Sequence, residues 1–144
     1  MYAIPLVATL LLAAQNASAD PNAEIRMLGN CADCAITGED YSDRPLMGLD
    51  LSNADVSDVD FSNTSMSVAV LDGARLNGVN FDGADLRGAT FVNARLSNVS
   101  FAGADLTGAV FEGAVLVDSD LSAARLCKTQ LPDDAMANDG CGEN

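Results

Sequence analysis

Residues 71–116 read LDGAR LNGVN FDGAD LRGAT FVNAR LSNVS FAGAD LTGAV FEGAV L, and a large apolar residue opens every block of five. The same beat extends in both directions. Leu51, Val56, Phe61, Met66, Leu71, Leu76, Phe81, Leu86, Phe91, Leu96, Phe101, Leu106, Phe111, Leu116, Leu121 and Leu126 are five apart without interruption. Two places before each centre from Val56 on stands a small or β-branched residue, in most cases Ala. Two places after the centre, Gly or Asn predominates. A helix repeats every 3.6 residues, so a five-residue step would scatter these centres round its axis. A strand repeats every two, so alternate centres would point to opposite faces. A chain that turns a corner every five residues satisfies the pattern. Each side then points one large and one small residue inward, and Gly or Asn occupies the corner, where left-handed backbone is least strained.

The rest of the composition narrows function more than it defines it. The chain has 144 residues, 7 Lys and Arg against 21 Asp and Glu, a net charge of −14, and neither His nor Trp. Apolar residues make up 49%, so a core is expected rather than disorder. Without His there is no Ser–His or Cys–His nucleophile pair and no histidine metal ligand. The acidic balance argues against direct binding of nucleic acid or of anionic lipid. No catalysis and no cofactor are expected.

The A-(D/N)-L-x-x unit within this run resembles that of the pentapeptide-repeat family, over about residues 46–128. The resemblance implies an all-β chain, a right-handed quadrilateral parallel β-helix with four pentapeptides per coil and about four coils. Residues twenty apart would then stack. Phe61, Phe81, Phe101 and Leu121 would form one inner column, and Leu51, Leu71, Phe91 and Phe111 the opposite one. Val56, Leu76, Leu96 and Leu116 would form a third column, and Met66, Leu86, Leu106 and Leu126 a fourth.

The ends of such a stack expose strand edges and need covers. Residues 20–45 are read as an N-terminal cap. Within it Asp20-Pro21 and Gly29 bracket a short helix, with Asp20 as N-cap and Gly29 as stop. Residues 129–144, with Pro132-Asp133-Asp134 and Asn138-Asp139-Gly140, are read as a turn-rich C-terminal cap. Before them, Tyr2–Ala14 is an uncharged apolar run too short to span a bilayer comfortably. It ends in Ala17-Ser18-Ala19, so residues 1–19 read as a signal peptide cleaved after Ala19, although no Lys or Arg precedes the run. The expected location is periplasmic or extracellular, with no membrane anchor after cleavage.

The four Cys lie at the two ends and allow three connectivities. Four coils at roughly 4.8 Å each would separate the ends by about 20 Å, beyond the ~7 Å limit for a bridge. That favours Cys31–Cys34 and Cys127–Cys141. The tail LCKTQLPDDAMANDGC also resembles a closing segment of exported bacterial family members, which supports the second bridge.

Sharper functions meet obstacles in the residues. Cys31-Ala32-Asp33-Cys34 has dithiol spacing, but Asp33 would raise a thiolate's pKa and no cation adjoins the pair. A thiol-redox protein is therefore the weaker alternative, and four-Cys zinc weaker still. The acids Asp40, Asp43, Asp50, Asp55, Asp58 and Asp60 lack the spacing of a calcium loop and read as a solvated surface. Some members of the family are intracellular DNA mimics that bind topoisomerases. Here the outward columns Asp55, Arg75, Arg95, Val115 and Ser65, Asp85, Asp105, Arg125 are not continuous acid, and an exported protein would not meet a topoisomerase, so that alternative requires a chain that is not exported. Ordered Thr columns for ice binding are also absent. The reading reached is a non-catalytic exported scaffold, monomer or homodimer, presenting a rigid acidic surface to a protein partner. Val92, Val110, Val115 and Val117 form a candidate interaction patch around one corner of the later coils.

Overall fold

A computed structural model describes residues 29–142. The expected signal peptide and the helix over residues 20–28 lie outside the described residues, and within them there is no helix. The chain winds as a parallel β-solenoid. One side is a five-stranded sheet of β1 (Ala35–Thr37), β2 (Asp55–Ser57), β3 (Arg75–Asn77), β4 (Arg95–Ser97) and β5 (Val115–Val117), in that order. The register is twenty residues throughout, as in Val56↔Leu76 and Leu96↔Leu116. The other three sides are joined by single parallel bridges at the same spacing, such as Asp60↔Asn80, Asp85↔Asp105 and Val70↔Thr90.

The five-residue beat produces this arrangement through hydrogen bonds. A centre donates its N–H to the coil that follows: Phe61 to Asn80 O at 2.7 Å and Phe81 to Ser100 O at 2.8 Å. The small residue three places on donates back to the centre, as Ala84 does to Phe81 O at 3.0 Å, closing the corner. Outward polar residues hold the same corners from outside. Asp60 Oδ1 accepts from Ser62 N and Asn80 Oδ1 from Asp82 N, both at 2.8 Å. These bonds satisfy backbone groups that a tight turn would otherwise leave to water.

The core is the set of inward columns. Phe61, Phe81 and Phe101 stack with ring centroids 5.5 and 5.4 Å apart, and Phe91 stacks on Phe111 at 4.5 Å. The two columns meet edge to face across the bore, Phe91 against Phe101 at 6.0 Å. Ala84, Ala94 and Ala104, fully buried beside them, leave the volume these rings occupy.

The four-coil stack is preceded by one further turn. Residues 31–45, expected as part of a cap, wind as a coil instead: Cys31, Ile36 and Tyr41 are inward centres in phase with Leu46 and Leu51, and β1 pairs with β2. Tyr41 extends the ring stack onto Phe61 at 5.4 Å. Cys31 and Cys34 are joined within this first turn, Cα atoms 5.3 Å apart. Cys127 and Cys141 are joined at the other end, Cα atoms 4.6 Å apart.

The C-terminal cap is a hairpin. After β6 (Thr129–Gln130) the chain reverses, and β7 (Met136–Ala137) returns antiparallel to it. The return continues along the last coil, Lys128 N donating to Asn138 Oδ1 at 2.9 Å and Gly140 N to Leu126 O at 2.7 Å. Arg125 Nε donates to Gly140 O at 3.0 Å. The tail thus covers the edge from Arg125 to Gln130 and leaves β5 uncovered among the described residues.

Candidate interaction surface

Outward positions alternate with the core along each coil, so the solenoid sorts charge by side. On the side holding Asp40, Asp60, Asn80, Ser100 and Asp120, the corner residues add Asp43, Asp58, Asp82 and Asp118. No Lys or Arg stands among these columns. Arg44 borders the first turn of this side, its guanidinium over the Tyr41 ring at 5.5 Å and its charge, after the Ser42 hydrogen bonds, among the causes that lower the Asp40 pKa. The other cations among the described residues sit elsewhere: Lys128 under the returning tail, Arg75 and Arg95 on the sheet side, and Arg87 and Arg125 on the side of Asp85 and Asp105. There Arg87 pairs with Asp85 at 2.7 Å, and Arg125 approaches Asp105 at 3.8 Å.

Several carboxylates are held rather than merely solvated. The Ser122 backbone N–H and hydroxyl hold Asp120 below the ordinary carboxylate pKa. The Ser42 hydroxyl and backbone N–H do the same for Asp40, and the Arg87 guanidinium does so for Asp85. Asp82 instead reaches the following coil, where Ala102 N donates to it at 3.0 Å and the Ser100 hydroxyl donates as well. Asp40, Asp60, Asp82 and Asp120 are therefore fixed in position. Asp50, Asp55, Asp58 and Asp60 point from different sides or corners, and among the described residues no group of three or more Asp, Glu or Cys is placed to hold a metal ion.

An open groove of about 380 Å³ interrupts the acidic side, lined by Asn98, Ser100, Ala102, Asp118, Asp120 and Ala123 among others. The hydrogen-bond register slips at this groove. Gly83 N donates to the residue nineteen ahead, Ala102 O, but Gly103 N donates to Ala123 O, one further. Ser119 replaces the usual apolar small residue, and its hydroxyl oxygen accepts from Val99 N at 2.9 Å. Ser119 is visible in the sequence as a departure from the Val59, Val79, Val99 column; the slip it accompanies is not.

The four candidate valines do not form one continuous patch. Val115 and Val117 both point outward on β5, 52% and 51% exposed. Val110 lies half-buried on the adjacent side, bridged to Thr90, and exposed Glu112 comes between it and Val115. Val92 is half-buried one coil earlier, its N–H held by Asp72 Oδ1 at 2.9 Å. Three exposed apolar residues fall outside the expected patch, Met47, Val68 and Met136. Val68 has φ of 53°, a conformation that β-branched residues rarely adopt. Its place in the Gly48, Gly88, Gly108 column was the sequence signal for this.

The eight copies of the family profile described as Pentapeptide repeats match residues 50–88, 65–101 and 94–131, more than half the chain. The chain belongs to the pentapeptide-repeat family. Among solved structures, it is similar to a pentapeptide repeat protein of the Arabidopsis thaliana thylakoid lumen, at 25% identity and a TM-score of 0.69, over 78% of this chain and 85% of that one. It is also similar in fold to QnrB1, a plasmid-mediated fluoroquinolone resistance protein, at 20% identity and a TM-score of 0.50, over 65% of this chain and 58% of that one. Comparison with curated protein sequences finds no significant match. This pentapeptide-repeat protein thus has the scaffold of its family, and its task has to be argued from its own surface.

Proposed function

We propose that this pentapeptide-repeat protein is a non-catalytic, exported scaffold that presents a rigid acidic side to a basic protein partner. The observation that carries the reading is the side from Asp40 to Asp120, where Asp residues recur on stacked coils with no cation beyond Arg44 at the first turn, and several are fixed by their own turns. A fixed array of like charge attracts a complementary surface and costs little ordering on binding. Export is supported by the apolar run ending at Ala19 and by two disulfides, which persist in oxidising compartments. The Arabidopsis relative resides in the thylakoid lumen, which is also outside the cytosol.

Two measurements test this. The first is the intact mass of natively expressed protein, alkylated with and without reductant. Loss of residues 1–19 and no alkylation before reduction are expected; an intact N-terminus with four free thiols removes the export reading. The second is crosslinking in the native host, comparing wild type with a variant carrying Asp60→Asn, Asp82→Asn and Asp120→Asn. The variant should lose the crosslinked partner, and wild-type capture should weaken with salt. Equal, salt-independent capture by both proteins would reject the acidic side as the binding surface.

A further inference from the structure

The two edges of the last coil are treated differently by the chain. The edge from Arg125 to Gln130 is covered by the returning tail and locked by Cys127–Cys141. The edge of β5 is not. Gly38, Asp58, Gly78 and Asn98 each donate a backbone N–H to the coil that follows, Asn98 to Val117 O at 3.0 Å. Asp118 is next in that series, and among the described residues no coil follows it. Among the described residues β5 pairs with β4 alone. Unpaired edges are normally blunted by Lys, Pro or an inward charge. Here the outward column changes the other way, from Asp55, Arg75 and Arg95 to Val115, and Ser57, Asn77 and Ser97 give way to Val117.

We propose that β5 is a docking edge that receives an extended segment of a partner protein as a sixth strand, with apolar residues at its centre and Lys or Arg at its ends. This deepens, and rests on, the interaction-scaffold reading above. Main-chain hydrogen bonds to the open edge would hold the segment, and alternate side chains would lie beside Val115 and Val117. Charge selects the occupant. Glu112 and Asp118 bracket β5, and residues 111–142 carry six acids against Arg125 and Lys128. A second copy would bring the same six acids to the contact, where like charges disfavour pairing. A basic-ended segment meets Glu112 and Asp118 with opposite charge instead.

The test is a titration of ¹⁵N-labelled, oxidised protein with the capped peptide Arg-Val-Leu-Val-Arg, with Glu-Val-Leu-Val-Glu as control. Saturable shifts centred on the Leu116 and Asp118 amides are expected, at least tenfold weaker for the Glu-ended peptide. The double variant Val115→Lys, Val117→Lys should also bind the Arg-ended peptide at least tenfold more weakly, with its unfolding temperature unchanged. No shift at β5 up to millimolar peptide, equal response to the two peptides, or shifts centred elsewhere would overturn the proposal. Sedimentation without peptide adds a further outcome: a dimer abolished by the double variant assigns the edge to a second copy and overturns the partner-strand reading. Host crosslinking separates the two levels. Capture retained by the Val115, Val117 variant and lost in the Asp60, Asp82, Asp120 variant leaves the scaffold reading standing and removes β5 from it.

Discussion

At the scale of single residues, the corner positions differ in what lies over them, and that difference is testable. Gly83 and Gly103 have nearly the same backbone, φ of 69° and 70°. A side chain at either accepts left-handed strain of about 1–2 kcal/mol. At Gly83 a Cβ would also run into the carboxamide oxygen of Asn63 in the preceding coil, whereas at Gly103 its nearest neighbour outside the adjoining residues is Gly83 N at 4.0 Å. Gly83→Ala should therefore destabilise more than Gly103→Ala, and Gly103→Asn, which tolerates this backbone, should destabilise least. Urea unfolding of the three variants decides it; equal losses would mean that Asn63 swings aside freely. Inside the coil the constraint is volume. Ala84 is fully buried in a coil centred on Phe81 and Leu86, so Ala84→Leu should overpack it and cost about 1–3 kcal/mol by the same measurement.

At the scale of elements, the two bridges close loops of very different size. Cys127 and Cys141 are fourteen apart in sequence and pin the hairpin of β6 and β7 against the last coil; Cys31 and Cys34 are three apart and close a corner. Chain entropy assigns about 3 kcal/mol to the longer loop and about 2 to the shorter. Replacing Cys127 and Cys141 by Ser should thus cost more than replacing Cys31 and Cys34. It should also speed hydrogen exchange at Leu106, Gly108 and Phe111, whose N–H groups donate to Arg125, Cys127 and Gln130. Unchanged exchange there would show that the hairpin stays docked without its bridge. The same ends mark the limit of what the sequence displays. The five-residue beat made the coils and their Phe columns legible, because each centre had a small companion. In the first turn the companions are Cys34, Glu39, Arg44 and Leu49 in place of Ala, so the sequence does not display Cys31, Ile36 and Tyr41 as centres of the same beat. Strands β6 and β7 are two residues each, too short to show a period, although the Pro132-Asp133-Asp134 turn between them is plain. Of the candidate patch, the outward step at Val115 and Val117 was legible from phase. The shading of Val92 and Val110 depends on neighbours one coil away, which the phase alone does not weigh.

At the scale of the whole molecule, charge is the dominant variable and pH barely moves it. With no His, no side chain of ordinary pKa titrates between about pH 5 and 8, and the net charge stays near −14. Stability should be flat across that range. Below it, Asp40, Asp85 and Asp120 have folded pKa values under their unfolded ones, so their contribution is full above the ordinary carboxylate range and is lost as pH falls through the depressed values. Salt acts where pH does not. Self-repulsion among the acids spans the molecule, and it is screened as the Debye length falls from about 30 Å at 0.01 M to about 8 Å at 0.15 M. The same salt weakens Arg87–Asp85 and Arg125–Asp105, but both Arg side chains are more than half exposed, and such pairs contribute about 0–1 kcal/mol each. Repulsion among 21 acids that only seven cations offset should outweigh two such pairs. Raising NaCl from 0.01 to 0.3 M at pH 7 should therefore raise the midpoint of thermal unfolding followed by circular dichroism. A fall would mean that the acids are locally compensated, and the Asp40-to-Asp120 side would then lack the field that the proposed partner is meant to sense.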